Sequence, residues 1–135
     1  MTAKAWWPAC PLALIVACAS PNAQLKGTFA SPDSSGEVRT AQGRGDQTQL
    51  TVTVYNLPKP QLVAHGATAY VAWARPAGAS GQPQKLGYLS VDETEVGRLQ
   101  AATPLKDFDL IVSAEPMDAP TMNGEPVLTG HVERK

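Results

Sequence analysis

The alternation in residues 49–56 constrains this chain most: Leu50, Val52 and Val54 point to one side of an extended backbone while Thr51, Thr53 and Tyr55 point to the other. Such a pattern belongs to a strand with one face buried and one wet. It recurs over 107–115, where Phe108, Leu110, Val112 and Ala114 oppose Asp109, Ile111, Ser113 and Glu115. The segment 68–75 is apolar on both sets, Ala69, Val71 and Trp73 against Tyr70, Ala72 and Ala74, which predicts a central strand. Punctuation between these segments is dense, with 12 Pro and 11 Gly in the chain. Those residues end strands and make turns.

Little helical periodicity is sustained anywhere. The spacing predicts strands over 25–30, 49–56, 68–75, 84–91, 95–102, 107–115 and 126–133, with a weak edge strand over 37–41. Ser31-Pro32-Asp33-Ser34-Ser35-Gly36 reads as a loop, Gly43-Arg44-Gly45-Asp46 and Asn123-Gly124 as turns, and the segment from Leu57 to Gly66 as an irregular connection. Seven or eight short strands at this spacing predict an all-β fold, a single antiparallel immunoglobulin-like β-sandwich over residues 25–135.

The amino terminus carries a different signal. Lys4 is followed by ten uncharged residues, Ala5 to Leu14, and then by Ile15-Val16-Ala17-Cys18. This segment is shorter than the roughly 20 apolar residues a spanning helix needs, and Pro8 and Pro11 break helical hydrogen bonding within it. Basic start, apolar run and small residues describe a targeting peptide. Ile15, Val16, Ala17 and Cys18 resemble a bacterial lipobox. The resemblance implies cleavage before Cys18, acylation of its sulfur and new amino terminus, a signal peptide at 1–17 and a lipidated tether at 18–24. Location would then be the bacterial cell envelope, with Ala19 after the cysteine favouring the outer membrane. Ordinary cleavage after Ala19 fits the small-x-small pattern of Ala17-Cys18-Ala19 and would give a soluble periplasmic or secreted protein. Retention of the segment at a cytoplasmic amino terminus is the third alternative.

Loss of residues 1–17 from the 135-residue chain leaves 118, enough for one domain and one core. With Cys10 discarded and Cys18 acylated, no thiol remains for a disulfide, so packing must supply stability. The formal charge of −1 suggests no nucleic-acid partner.

Tyr70-Val71-Ala72-Trp73, Gly87-Tyr88-Leu89 and Phe108-Asp109-Leu110-Ile111-Val112-Ser113-Ala114-Glu115-Pro116 stand in that order. From about residue 50 to 132 the chain resembles the extracytoplasmic C-terminal domain of anti-sigma-K-type factors, in which a Tyr-x-x-Trp strand precedes a Gly-containing strand and a later Thr-or-Ser-x-Glu-Pro motif. Ser113-Ala114-Glu115-Pro116 fits that later motif. Full-length members of that family also carry a sigma-binding region and a membrane helix. This chain has neither pattern, so the resemblance implies reuse of the domain rather than sigma-factor inhibition.

Chemical constellations are sparse. His65 and His131 are the only histidines and have no partner at a fixed metal-ligand spacing, so they read as a loop and a strand-surface residue. The serines lack a nucleophile-elbow motif. Asp92-Glu93-Thr94-Glu95 lacks the spaced ligands of a calcium loop and reads as a solvated turn. Arg44-Gly45-Asp46 spells an integrin-binding tripeptide, which an exposed Gly-rich turn explains equally well. Trp73 is expected in the core on the face shared with Ala69 and Val71, and Tyr70 in the core or at a surface platform. The sequence thus assigns no catalytic residue, metal or cofactor. It predicts a membrane-anchored interaction or structural module with envelope proteins as partners, acting through loops or a sheet edge; the alternative is an envelope sensing accessory related to the anti-sigma domains.

Overall fold

Every strand of the computed structural model, which describes residues 23–134, joins one antiparallel sheet. The strands are β1 (Ala23–Gly27), β2 (Ser35–Gln42), β3 (Thr48–Tyr55), β4 (Ala69–Pro76), β5 (Gln84–Tyr88), β6 (Ser90–Val91), β7 (Gly97–Thr103), β8 (Asp107–Glu115) and β9 (Pro126–Glu133). One short helix, α1 (Pro60–Val63), lies between β3 and β4. The segment with Lys4, Ile15, Val16, Ala17 and Cys18 lies outside the described residues.

The order across the sheet is β5-β4-β8-β9-β1-β2-β3-β7-β6. Its two outermost strands, β5 and β6, are separated in the chain by Leu89 alone. Leu89 donates its N–H to Tyr70 O at 2.9 Å, and two residues later Val91 pairs with Gly97 of β7. A single run of chain therefore leaves the β4 side and joins the β7 side, so the sheet curls until it nearly closes into a barrel. The curl is accommodated by a register shift between Ala72 and Trp73 opposite β5 and by Gly87, whose φ of 154° few side chains adopt.

The sequence predicts an immunoglobulin-like sandwich of seven or eight strands, whereas the nine strands form one continuous ladder of pairings. The strand pattern is the same in both, since an inward and an outward face alternate in a barrel wall as in a sandwich layer. The segment 37–41 is no edge: β2 pairs with β3 along all eight of its residues and with β1 on its other side. Its polar appearance comes from Glu37 and Arg39, which share one face and pair at 3.2 Å while Val38 points inward. β1 begins at Ala23, two residues before the expected strand, and takes Ala23 and Gln24 out of the expected tether.

One alternating set from each long strand fills the interior: Leu25, Val38, Leu50, Val52, Val54, Tyr70, Ala72, Phe108, Leu110, Val112, Leu128 and Val132 are all buried there. The registers also sort the loops. Residues 43–47, 77–83 and 104–106 gather at the end where β1 starts. Residues 28–34, 56–68, 92–96 and 116–125 gather at the opposite end.

Candidate functional site

The outer wall of β4, β8 and β9 holds the densest chemistry among the described residues. Register aligns Trp73 with Ile111 and Thr129, then Arg75 with Asp109 and His131, and then Asp107 with Glu133. Because strand side chains alternate, these rows all face outward while Ala72, Leu110 and Val132 face the interior. A shallow groove of about 430 Å³ runs along this wall past Arg75, Asp109, Ile111, Met122, Thr129 and His131.

At the lower end of that groove His131 is held from both sides. Its Nε2 lies 2.8 Å from Asp107 Oδ1 and its Nδ1 lies 3.2 Å from Asp109 Oδ1. The hydrogen bond to Asp109, with the negative charges of Asp107, Asp109 and Glu133, raises the pKa of His131 above its ordinary value. Potential ligand atoms of Asp107, His131 and Glu133 all lie within 4.8 Å of one another. The sequence placed His131 on a strand surface, correctly, but singled out none of the carboxylates around it. The available signal was Asp107-x-Asp109 in one strand and His131-x-Glu133 in the next, two i, i+2 pairs that become neighbours once β8 and β9 form a hairpin.

At the upper end of the wall Trp73 is fully buried, but not in the barrel interior. It packs with Val71 and Ile111 in a separate cluster, against Met122 from the 116–125 segment. Tyr70, on the other face of β4, belongs to the interior and donates its hydroxyl to Pro58 O at 2.6 Å. Trp73 Nε1 donates to Ser113 Oγ at 2.9 Å, and Ser113 Oγ donates to Glu115 Oε2 at 2.7 Å. Glu115, only 1% exposed, accepts the backbone N–H groups of Gly124 at 2.8 Å and Asn123 at 3.2 Å. Asn123-Gly124 is thus no tight hairpin turn: neither residue has positive φ, and the pair forms part of a strap bound by the buried carboxylate. A Cβ on Gly124 would stand 2.6 Å from Ala114 O, which is why the strap can lie so close only with glycine there.

No protein-family model matches the chain. No curated protein is similar to it either.

Among the described residues, the exposed large apolar side chains concentrate at the end of the barrel opposite the start of β1. Phe29 is fully exposed on the 28–34 loop, Leu62 is 78% exposed on α1 and Met117 is 57% exposed on the strap. The 28–34 loop is held in shape below Phe29, where Ser34 Oγ donates to Asn56 O at 2.8 Å and meets Ser31 Oγ at 2.6 Å. The loops of this end carry Asp33, Asp92, Glu93, Glu95, Asp118 and Glu125 against Lys59 as their one lysine or arginine. Asp92 is engaged within the chain: the Thr94 hydroxyl above all, then the N–H groups of Val96 at 3.1 Å and Thr94 at 2.8 Å, donate to Oδ1 and hold its pKa well below the usual range, and Arg98 Nη1 pairs with Oδ2 at 3.1 Å.

The remaining sequence candidates separate. His65 is an exposed residue of the connection after α1. Arg44-Gly45-Asp46 is an exposed turn at the β1-start end, with Gly45 at φ 64°. Its Asp46 is engaged within the chain, by Lys106 Nζ at 2.7 Å and Arg134 Nη2 at 3.4 Å, and Lys106 above all lowers its pKa.

Proposed function

We propose that this chain is a bacterial cell-envelope lipoprotein acylated at Cys18, whose barrel is a non-catalytic module that binds an envelope protein through the loops remote from its tether. The observation that carries this reading is the polarity of the domain. β1 begins at Ala23, five residues after Cys18, and the exposed Phe29, Leu62 and Met117 all lie at the other end. Five residues reach at most about 17 Å. A barrel anchored that closely stands with its β1-start end toward the lipid and its apolar loops outward. Near-closure of the sheet supports loops over strand addition, because its open edges, β5 and the part of β7 beyond Arg98, face one another across the seam. Acyl chains, each gaining about 0.8 kcal/mol per buried CH₂, supply the membrane attachment, and Ala19 favours the outer membrane.

Intact mass spectrometry of the membrane-extracted protein tests the anchor. A mature terminus at Cys18 with added acyl mass, lost in Cys18→Ala, is the expected result; an unmodified terminus at Ser20 would identify a soluble periplasmic or secreted protein instead. A photo-crosslinking residue at position 29, compared with one at position 79, tests the binding end. Adducts from 29 and not from 79 are expected.

A second reading, an envelope sensing accessory, draws on one observation: Ser113-Ala114-Glu115-Pro116, which resembles a motif of anti-sigma-type domains, holds the 116–125 strap through Glu115. The identity of the adduct from position 29 separates the two, since this reading requires a signalling protein.

A further inference from the structure

We infer that Asp107, His131 and Glu133 form an exchangeable site for a divalent transition-metal ion, Zn²⁺ in the first instance, on the outer wall of the β8–β9 hairpin. The inference does not depend on the lipid anchor or on a partner at the far end.

The electrostatics of the hairpin call for a cation. Asp107 and Glu133 are direct partners in the β8–β9 register, and like charges directly opposite one another destabilise a strand pair. Asp109 adds a third carboxylate one step along the same face, opposite His131. Of the neighbouring strand, Arg75 is the charged residue in this row, and its partner across the ladder is Asp109 rather than the Asp107–Glu133 pair. That pair therefore has His131 as its basic neighbour, with Nε2 2.8 Å from Asp107 Oδ1.

The imidazole is also oriented as a ligand. Asp109 Oδ1 holds Nδ1 at 3.2 Å, which turns Nε2 toward Asp107 Oδ1 at 2.8 Å. Metal-bound histidines commonly have their second nitrogen fixed in this way by a carboxylate, which sets the tautomer and strengthens the ligand. Asp109 is accordingly the positioning group and the other three residues supply the bonds.

Donor chemistry selects the metal. One imidazole nitrogen with two carboxylate oxygens suits Zn²⁺ at bond lengths of about 2.0–2.2 Å, with water completing the shell. The donor atoms lie within 4.8 Å of one another, and binding replaces the 2.8 Å contact between His131 Nε2 and Asp107 Oδ1 with bonds from both groups to the ion. Ca²⁺ takes about six to eight oxygens at longer distances, more than this cluster offers. All three ligands are exposed, so the ion exchanges with solvent rather than stapling the fold.

The test is a titration of the full chain with ZnCl₂ in a non-chelating buffer near neutral pH, followed by NMR of the two histidine rings and by calorimetry. One ion per chain is expected, with the His131 ring shifted and the His65 ring unmoved. His131→Ala should weaken binding at least about tenfold, and Asp109→Asn should weaken it by about 10–100-fold without changing the stoichiometry. Both residues are solvent-facing, and equal thermal melts without metal establish that the variants fold. Equal response of both rings, undiminished binding by His131→Ala, or competition by CaCl₂ at equal concentration would each overturn the site.

Discussion

Gly124 donates its backbone N–H to Glu115 Oε2 across 2.8 Å, and that oxygen also accepts the Ser113 hydroxyl at 2.7 Å. A buried carboxylate thus ties the last residues of the strap to the end of β8. Hydrogen bonds to a charged group contribute about 1.5–3 kcal/mol each, and donors left unpaired add to the loss. Glu115→Ala is expected to lower stability by about 3 kcal/mol in urea melts and to abolish hydrogen-exchange protection of the Asn123 and Gly124 amides. Unchanged protection of those amides would refute this role for Glu115.

Trp73 and Ser113 should be energetically coupled. Trp73→Ala removes a fully buried ring and is expected to cost about 3–5 kcal/mol, whereas Trp73→Phe keeps most of the burial and loses the bond to Ser113. A double-mutant cycle of Trp73→Phe with Ser113→Ala should return a coupling of about 1 kcal/mol. Strict additivity would show that the 2.9 Å contact does not contribute to stability.

Gly130 sits in β9 where a Cβ would come 2.5 Å from Gln24 O and 2.7 Å from Leu25 Cδ2. Replacing a strand glycine by alanine ordinarily stabilises, by about 0.5–1 kcal/mol. Here the crowding reverses the sign, and Gly130→Ala should destabilise by about 1–3 kcal/mol. A raised melting temperature would contradict the close β1–β9 approach.

Burial pushes the Tyr70 hydroxyl up to about 12 from its ordinary 10, with a smaller contribution from the charge of Glu95. The sign follows from linkage: the unfolded state loses this proton near pH 10 and the folded state only near 12, so the stabilisation is complete below pH 10 and is lost as pH rises toward 12. Thermal melts of wild type and Tyr70→Phe should differ by about 1 kcal/mol at pH 8, for the lost bond to Pro58 O. That difference should shrink between pH 10 and pH 12. A difference independent of pH would show that Tyr70 titrates alike in both states.

Strands were legible where apolar residues recur in a short run bounded by turn residues. β8 and β9 begin and end at the residues the alternation and turn signals predict, and β3 and β4 lie within one residue of it, because side-chain period and the turn chemistry of proline and glycine are local properties. β2 read as an edge because Glu37 and Arg39 outnumber the single inward Val38. The signal of Lys4 and of the lipobox-like Ile15-Val16-Ala17-Cys18 is equally local, and the proposed location starts from it.

Tertiary structure decided which face of each strand is the interior and which residues meet across strands. In β4 both sets are apolar, so nothing local tells Tyr70 from Trp73; curling of the sheet put Tyr70 inside and left Trp73 on the outer wall under the strap. The same holds for chemistry. Asp109 and His131 are 22 residues apart and Trp73 and Ser113 are 40 apart, and each pair exists only once register is set. Register and closure depend on how the whole sheet buries its apolar set at once, a cooperative property that no window of sequence contains.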